Sequence, residues 1–452
     1  MPFELTRDLL DNLSDLIKTG KDDEIKQLLK ENHPADIAEI IAELNTEEAG
    51  HVYTLLNDDT AADVLIELDE DKRERLIQLV SSEKIARQFI ENMDSDDAVD
   101  VISELDEDVR EEVMQHIATI DESGHIVDLL TYDENTAGGL MAKELISVNL
   151  NWNVVKCLRE MRKQAENINE VYFIYVVDDD NVLKGTLSLK RLLLSRNNAL
   201  IKNLYNEDVI YVNVETPSEE VANIMEKYDL VALPVVDSVG RLVGRITIDD
   251  VVDFIREEAE KDYQMISGIT EDIEASDTAW VITRARLPWL FIGLIGGIMV
   301  AMVLGNFEEV LKISPQMAFF IPLIGAMAGN VGIQSSSIIV QGIASNTLGL
   351  ESTARKLFKE FIVALINGLI LASLLFFYNY YFSDSFVLTI TVSVSLFVVI
   401  IFAALFGTLI PLVLNSFKFD PALATGPFIT TMNDIIAMLM YFFVGRTLYG
   451  II

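Results

Sequence analysis

The sequence predicts a multidomain membrane protein: an α-helical acidic N-domain, an α/β module built from two copies of one unit, a charged connecting helix and a five-helix transmembrane domain. Three observations lead there. Five apolar stretches of spanning length crowd into residues 284–452, two kinds of internal repeat fill the part before them, and the net charge sits almost wholly on that earlier part.

The charge division is sharp. The chain of 452 residues carries a formal −37; from Arg284 onward there are seven acids and eight basic residues, which leaves 64 acids and 26 basic residues in residues 1–283. Self-repulsion on that scale disfavours compaction unless counter-ions relieve it, so the N-terminal part is expected to respond to divalent cations. The plainer alternative is an acidic, well-solvated surface. Either way, nucleic acid is excluded as a partner by like charge.

Residues 1–132 read as short helices in a recurrent unit. Ala62 to Asp71 matches Val99 to Asp108 at an offset of 37, and His33 to Leu44 is a looser third copy. Such repetition predicts stacked helical hairpins. Val64, Leu65 and Leu68, then Leu76, Ile77 and Val80, recur at helical spacing, so each unit can bury one stripe while the other faces carry the acids. The first 20 residues mix Glu4, Arg7, Asp8, Asp11 and Asp15 with leucines, an amphipathic helix pattern with no signal-peptide core.

From residue 138 the pattern changes to strand, turn, strand, helix, and again appears twice. Val171 to Asp178 followed by Leu183 to Leu189 corresponds to Leu230 to Asp237 followed by Leu242 to Ile248. The two copies are bounded at 138–200 and 201–252. Next, residues 253–283 read as a charged helix continuing toward Asp277. Helical spacing sets Asp250, Asp253, Glu257 and Glu260 along adjacent rows of one face, where like charges need solvent or cations.

The apolar stretches are Leu287 to Leu304, Gln316 to Ala344, Phe361 to Phe382, Phe386 to Leu414 and a fifth from near Pro421 to Ile452; about 20 residues suffice to span. Arg284 and Arg286, then Arg355, Lys356 and Lys359, then Lys418, mark alternate loops. By the positive-inside rule the N-terminus is cytoplasmic, and five helices put the C-terminus on the far side. The setting is a plasma-membrane, multi-pass protein in contact with the lipid bilayer.

Asp434 lies inside the fifth stretch. A carboxylate at mid-membrane costs about 2.5–3.5 kcal/mol on insertion scales and usually faces a bundle interior on an ion or proton pathway. Asn330, Gln334, Thr430 and Thr431 are pore-lining candidates that could hydrogen-bond an ion's water shell, with interhelical hydrogen bonding as the alternative. Pro322 and Pro427 lack an N–H and would free the carbonyls of Ala318 and Leu423 as further oxygens. Gly293, Gly296, Gly297, Gly325 and Gly329 fit helix packing better than ion contact.

Competing chemistry finds no residues. There is no P-loop or HExxH, the acidic runs at Asp94 and Asp178 lack the pattern of a calcium loop, and His33, His51, His116 and His125 have no metal spacing. The single Cys157 cannot form an intramolecular disulfide. With no His or Cys in the membrane part, a metal-hydrolase site cannot be assembled, which argues against an enzyme.

On the residues just quoted, the repeated strand pairs resemble the tandem CBS module, a regulatory unit that commonly binds adenine nucleotides or ions. Gly244, Thr247 and Asp250 fit its nucleotide-ribose pattern, whereas Arg191 stands in the first copy where nucleotide-binding members place an acid. Over the whole chain, the order of domains with Ile321 to Ser335 and Asp420 to Asp434 resembles the MgtE family of magnesium channels. That resemblance implies a homodimer with one pore between paired second and fifth helices, Asp434 as the ion-binding aspartate, and a connecting (plug) helix held over the pore by Mg2+. It implies Asp250, Asp253, Glu258, Asp229 and Glu219 as Mg2+ sensor acids, with Lys261 where an acid is expected. Asp94, Asp97 and Asp100 are the N-domain candidates. Function is therefore expected to be Mg2+ uptake gated closed by cytoplasmic Mg2+, with a proton- or sodium-coupled divalent transporter as the alternative, and ATP at the CBS module left open.

Overall fold

The computed structural model describes the chain except for residues 1, 2, 4, 31, 118–120, 169–170, 271–272, 274–277, 345–351, 422–425 and 450–452, and the side chains of residues 70, 71, 88, 89, 91, 121–123 and 167. It divides into two units, Met1–Ile255 and Arg256–Ile452.

The first unit opens with short helices: α1 (Arg7–Thr19), α2 (Asp22–Lys30), α3 (Pro34–Glu43), α4 (Thr46–Thr54), α5 (Asp58–Ile66), α6 (Glu70–Ile77), α7 (Ser82–Lys84), α8 (Ser95–Ser103), α9 (Glu107–Ile117) and α10 (Asp121–Leu129). They are short because the sequence punctuates them with caps. The side chains of Asn45 and Asn57 accept hydrogen bonds from the amides of Glu48 at 3.0 Å and Thr60 at 2.8 Å, satisfying N–H groups a helix start leaves unpaired. His33 caps α3 in the same way through Nδ1, and His51 pairs with Asp22.

The repeat is physical. Val64, Leu65 and Leu68 are buried, and so are Val101, Ile102 and Leu105, their counterparts 37 residues on. A further correspondence escapes hydrophobic patterning. Arg73 Nη2 donates to the carbonyls of Ile66 at 3.4 Å and Leu68 at 2.9 Å; Arg110 Nη2 donates to those of Ser103 at 2.6 Å and Leu105 at 3.2 Å. In each copy one guanidinium closes the C-terminal end of the preceding helix, where unpaired carbonyls carry partial negative charge.

The α/β part holds β1 (Ile146–Asn149), α11 (Val154–Gln164), β2 (Ile174–Val177), β3 (Leu183–Leu187) and α12 (Leu189–Leu193), then β4 (Val212–Asn213), α13 (Ser218–Tyr228), β5 (Ala232–Val236) and β6 (Leu242–Thr247). The sheets run β1-β2-β3 and β4-β5-β6, each with one parallel and one antiparallel pair. Both copies shift register at the same place, after Val176 and after Val235. Their turns are alike too: Asp178 Oδ1 accepts from the amides of Asp180 and Val182, and Asp237 Oδ1 from those of Val239 and Arg241. Asn181 at φ 63° and Gly240 at φ 85° occupy the left-handed position of each turn, where Gly and Asn are least penalised. The amides of Leu183 and Leu242 then bond across to the carbonyls of Gly240 and Asn181, pairing the copies.

Helix α14 runs Ile248–Ser267, across the expected boundary at 252/253. Asp250 caps it from the Thr247 side, no breaker interrupts the chain near residue 253, and Gly268 at φ 81° ends it. The connecting helix is thus the second half of α14 and stops well short of residue 283. Asp277 lies outside the described residues.

The second unit holds α15 (Ala279–Asn306), α16 (Glu308–Ile313), a 3-10 stretch Pro315–Phe320, α17 (Ile321–Ala344), α18 (Thr353–Phe382), α19 (Phe386–Ser416) and α20 (Pro427–Leu448). Five of its helical segments are long and apolar enough to cross a membrane. Around them Leu290, Phe291, Leu294, Ile366, Leu374 and Phe443 are exposed, as lipid-facing side chains must be. Helix α19 is the most buried, with Val392, Leu396, Val399, Ile400 and Ala403 in the core shared by α17 and α20. Two tyrosines tie α20 to the start of the second span. Tyr441 donates to the carbonyl of Met317 at 2.8 Å, and Tyr449 Oη lies 3.0 Å from Ser314 Oγ.

Of the two expectations about proline, one fails here and the other falls outside the described residues. Pro322 is the second residue of α17, and the carbonyl of Ala318 accepts the amide of Ile321 in the preceding 3-10 stretch; no pore oxygen is freed. Pro427 is the first residue of α20, a place where proline costs no hydrogen bond, and Leu423 lies outside the described residues.

Candidate functional site

Two groups of polar residues stand out, one in each unit. In the first unit, the N-termini of α8 and α14 bring their acids together. Asp94 precedes α8, Asp96 and Asp97 occupy its first turn, and Asp100 lies one turn on. Asp94, Asp96 and Glu144 each offer an oxygen within 4.8 Å of the others. Glu144 is aimed by Ser95, whose amide and hydroxyl donate to Oε2 at 3.1 and 2.8 Å, and Lys143 N–H in turn donates to Ser95 Oγ at 2.8 Å. Asp250 Oδ2 accepts the amide of Thr247 at 3.1 Å and also its hydroxyl.

The electrostatics follow from crowding. Burial, then Asp250, Asp94 and Asp100, push the Asp97 carboxyl up to about 8. Burial, followed by Asp250 and Asp97, holds Asp96 well above the usual carboxylate range. Burial raises Asp250 to about 6 against the lowering effect of its Thr247 hydrogen bonds. Asp94 is raised by burial and Glu144, with Arg245, whose Nη2 is 3.3 Å from Asp94 Oδ2, acting the other way. Two helix N-termini favour negative charge by a few tenths to one kcal/mol each, too little for this many acids. A hard divalent cation bound through oxygen fits such a donor set.

Of the sensor residues expected from sequence, Asp94, Asp97, Asp100 and Asp250 are therefore brought together. Asp250 does not lie on the solvated face drawn from helical spacing; it turns back onto Thr247. Asp253 is exposed on α14, as is Glu258, whose Oε1 is 3.2 Å from Lys261 Nζ. A lysine at that position gives Glu258 a cation of its own. Glu219 and Asp229 are both exposed and sit at opposite ends of α13, about 15 Å apart at 1.5 Å per residue, so they do not form one site with each other. Sequence reasoning missed Asp96 and Glu144. Asp96 was signalled by its place in the same helix turn, whereas Glu144 is 49 residues from Ser95 and only the tertiary fold joins them.

The nucleotide pattern fares differently. A Cβ on Gly244 would come within 2.6 Å of Met141 Sδ, so close strand packing accounts for that glycine. Thr247 and Asp250 bond to each other. The nearby cavity, lined by Glu144, Tyr172, Phe173, Tyr175 and Arg245 among others, measures about 10 Å³, room for a single water. In this conformation that cavity is too small for a nucleotide.

In the second unit, Asp434 lies in the third turn of α20 and faces α17. Its Oδ1 is buried without a hydrogen-bond partner among the described residues. Cβ atoms built on Gly325 and Gly329 would lie 3.6 and 3.9 Å from that oxygen, so the two glycines leave the carboxylate room. Asn330 and Gln334 are exposed on the same row of α17, the side of this chain left open. Thr430 donates its hydroxyl to the Gly426 carbonyl at 2.9 Å and packs its methyl on Gly329. Thr431 presses its methyl onto Gly296 of α15, which is helix packing and not a place on the Gly325–Gly329 face.

A second carboxylate enters a spanning helix. Glu360, in α18, accepts a hydrogen bond from Ser335 Oγ of α17 at 2.6 Å. The sequence reading placed Glu360 in the loop before the third span, because that span was started at Phe361; α18 starts instead at Thr353.

The family model described as divalent cation transporter matches residues 321–444, the MgtE intracellular N domain model matches residues 32–135, and the CBS model matches 137–197 and 201–257. The magnesium transporter MgtE of Thermus thermophilus is 37% identical over 322 residues, 71% of each chain. The chain belongs to the MgtE family of magnesium transporters. Magnesium transporter MgtE of Bacillus subtilis and of Enterococcus faecalis are 32% and 34% identical, each over 71% of both chains. Among solved structures, the cytosolic domain of the Mg2+ channel MgtE in complex with ATP is similar over 54% of this chain and 99% of that one, with a TM-score of 0.51 and 32% identity. The soluble part of a magnesium transporter is similar over 55% and 98%, with a TM-score of 0.50 and 29% identity. As a member of this family the chain is a multi-pass membrane protein with a tandem CBS module.

Proposed function

We propose that this chain is a Mg2+-selective channel of the plasma membrane, working as a homodimer and closed by cytoplasmic Mg2+. One observation supports the pathway above all: Asp434 is a carboxylate in a spanning helix, with a buried, unpartnered oxygen set over glycines. Mg2+ gives up its water reluctantly, so the substrate ion is held hydrated, with Asp434 supplying charge and with Asn330, Gln334 and Thr430 meeting its water shell. The exposed row of Asn330 and Gln334 suits the face a second copy would cover. The basic residues beside alternate spans support a cytoplasmic N-terminus, and the membrane potential then drives entry at about 2.3 kcal/mol per charge per 100 mV.

The gate is read from the acid cluster. Mg2+ bridging Asp94, Asp96, Asp97, Glu144 and Asp250 would favour a compact cytoplasmic state, and repulsion among them a splayed one when Mg2+ falls. Asp253 and Glu258 on α14, with Glu219 and Asp229 on α13, would add further bridges in that compact state.

A second reading, a proton- or sodium-coupled divalent transporter, is favoured by Glu360, a second carboxylate in a spanning helix. Reconstituted full-length protein tests both readings. Mg2+ current that persists without a proton or sodium gradient supports the channel, and loss of divalent flux in Asp434→Asn supports its pathway. Flux strictly dependent on a gradient and lost in Glu360→Gln would favour coupling, while unchanged Mg2+ flux and ion preference in Asp434→Asn would sink the assignment of Asp434.

A further inference from the structure

Helix α20 meets α17 through two adjacent rows. Thr430, Asp434 and Met438 lie over Gly325 and Gly329; Ile429 and Asn433 lie over Gly332. The second row contains no ion-facing group, yet Asn433 is wholly buried in a spanning helix. Its Nδ2 reaches the carbonyl of Ala328 at 3.4 Å, and its Oδ1 has no partner among the described residues. Burying an amide with most of its hydrogen bonds unmade is costly, so bulk packing alone does not account for it.

Gly332 is what admits the amide. A Cβ there would overlap Asn433 Nδ2 and lie 2.9 Å from Ile429 Cγ2. From the other side α19 closes in, since a Cβ on Gly407 would come 2.5 Å from the Gly332 carbonyl oxygen. The backbone at Gly332 is therefore held between α19 and Asn433 and cannot shift away from either.

We infer that Asn433 is a positioning residue for ion recognition: by seating its amide between Ala328 and Gly332 it fixes the rotation of α20 against α17, and so aims the neighbouring Asp434 over Gly325 and Gly329. Adjacent helical residues differ by about 100°, so a rotation that releases Asn433 also swings the carboxylate off the glycines. The inference rests on Asp434 being the ion-binding group.

The test uses the full chain in liposomes, with Mg2+ and Ca2+ uptake measured for the parent, Asn433→Ala, Gly332→Ala and the double variant. Asn433→Ala should raise the KM for Mg2+ and lower the Mg2+-over-Ca2+ preference by about 3- to 20-fold, the span of one interhelical hydrogen bond in a membrane, with a smaller change in maximal rate. Gly332→Ala keeps every polar group but displaces the amide, so it should give the same shift, and the double variant should be no worse than the more affected single one. A merely structural role would change the yield of folded protein and leave KM and ion preference at parent values. Parent-like KM and preference in either single variant, with Asp434→Asn inactive, overturns the inference and leaves the pathway reading standing. An active, selective Asp434→Asn overturns both. Where Asn433→Ala is recovered in low yield, Gly332→Ala carries the comparison.

Discussion

At pH 7.5 without divalent cations, Asp97→Asn should make the first unit more stable, although it removes a carboxylate from a well-formed helix turn. Burial and the neighbouring acids raise the Asp97 carboxyl from 3.8 to about 8 in the folded state. Below pH 3.8 the group is protonated whether folded or not, and its contribution is zero. As pH rises from there the unfolded chain ionises freely while the folded one resists, so stability is lost through the window up to about 8 and is flat beyond it. At about 1.4 kcal/mol per pH unit, the part of that window lying below pH 7.5, roughly 3.7 units, sets a ceiling of about 5 kcal/mol. An Asn amide in the same place keeps a burial cost of about 1–3 kcal/mol, which leaves a gain of about 2–4 kcal/mol. For a part of this size, at about 2–4 °C per kcal/mol, the melting temperature should rise by about 5–15 °C. The gain should vanish between about pH 4.5 and 6, where the ionisation penalty no longer exceeds the amide's burial cost, and the rise that Mg2+ gives the parent should shrink, because one ligand is gone. Melting of the full chain in detergent between pH 4 and 8.5, with and without Mg2+, measures all three. A mutant no more stable than the parent at pH 7.5, or a gain that does not depend on pH, would refute the idea that these acids repel one another in the folded state.

Neutralising Asp250 and Asp253 together as Asn should raise the Mg2+ concentration needed for closure while open-channel conductance stays the same; an Asn amide oxygen can still accept the Thr247 N–H at the start of α14, so the effect is on charge. Closure of patches at the parent's Mg2+ concentration would leave these acids as an ordinary helix start. Deleting residues 1–130 should give a conducting protein that internal Mg2+ inhibits less, because the deletion removes Asp94, Asp96, Asp97 and Asp100 and no spanning helix; loss of all flux in a properly inserted truncation would contradict this. Moving a two-state gate from 1:99 to 99:1 takes about 5.5 kcal/mol, which several modest bridges can share.

Local patterns carried much of this into the sequence. The five spans were legible because lipid demands about 20 apolar residues wherever a helix crosses, and the two repeats because each copy must bury the same stripe. Asp434 stood out for the cost of a carboxylate among apolar neighbours. Start points were less legible: α18 begins at Thr353 and not at Phe361, since Arg355, Lys356 and Lys359 are as good helix formers as the apolar residues that follow. That difference left Glu360 outside the third span as read from sequence.

What only the tertiary structure decided is which side chains meet. Glu144 joins Asp94 and Asp96 across some 49 residues of chain, Arg245 reaches Asp94 from the second CBS copy, and Asp250 turns inward to Thr247 when helical spacing alone would have left it on a solvated face. Thr430 and Thr431 are neighbours in sequence and equal as candidates, yet one packs on Gly329 and the other on Gly296, because a helix turns about 100° per residue and its rotation is set by what it packs against. Sequence determines period, charge and span length through interactions local to the chain; the rotation of one helix on another depends on contacts such as Asn433 with Gly332, separated by about a hundred residues, and those exist only once the chain has folded.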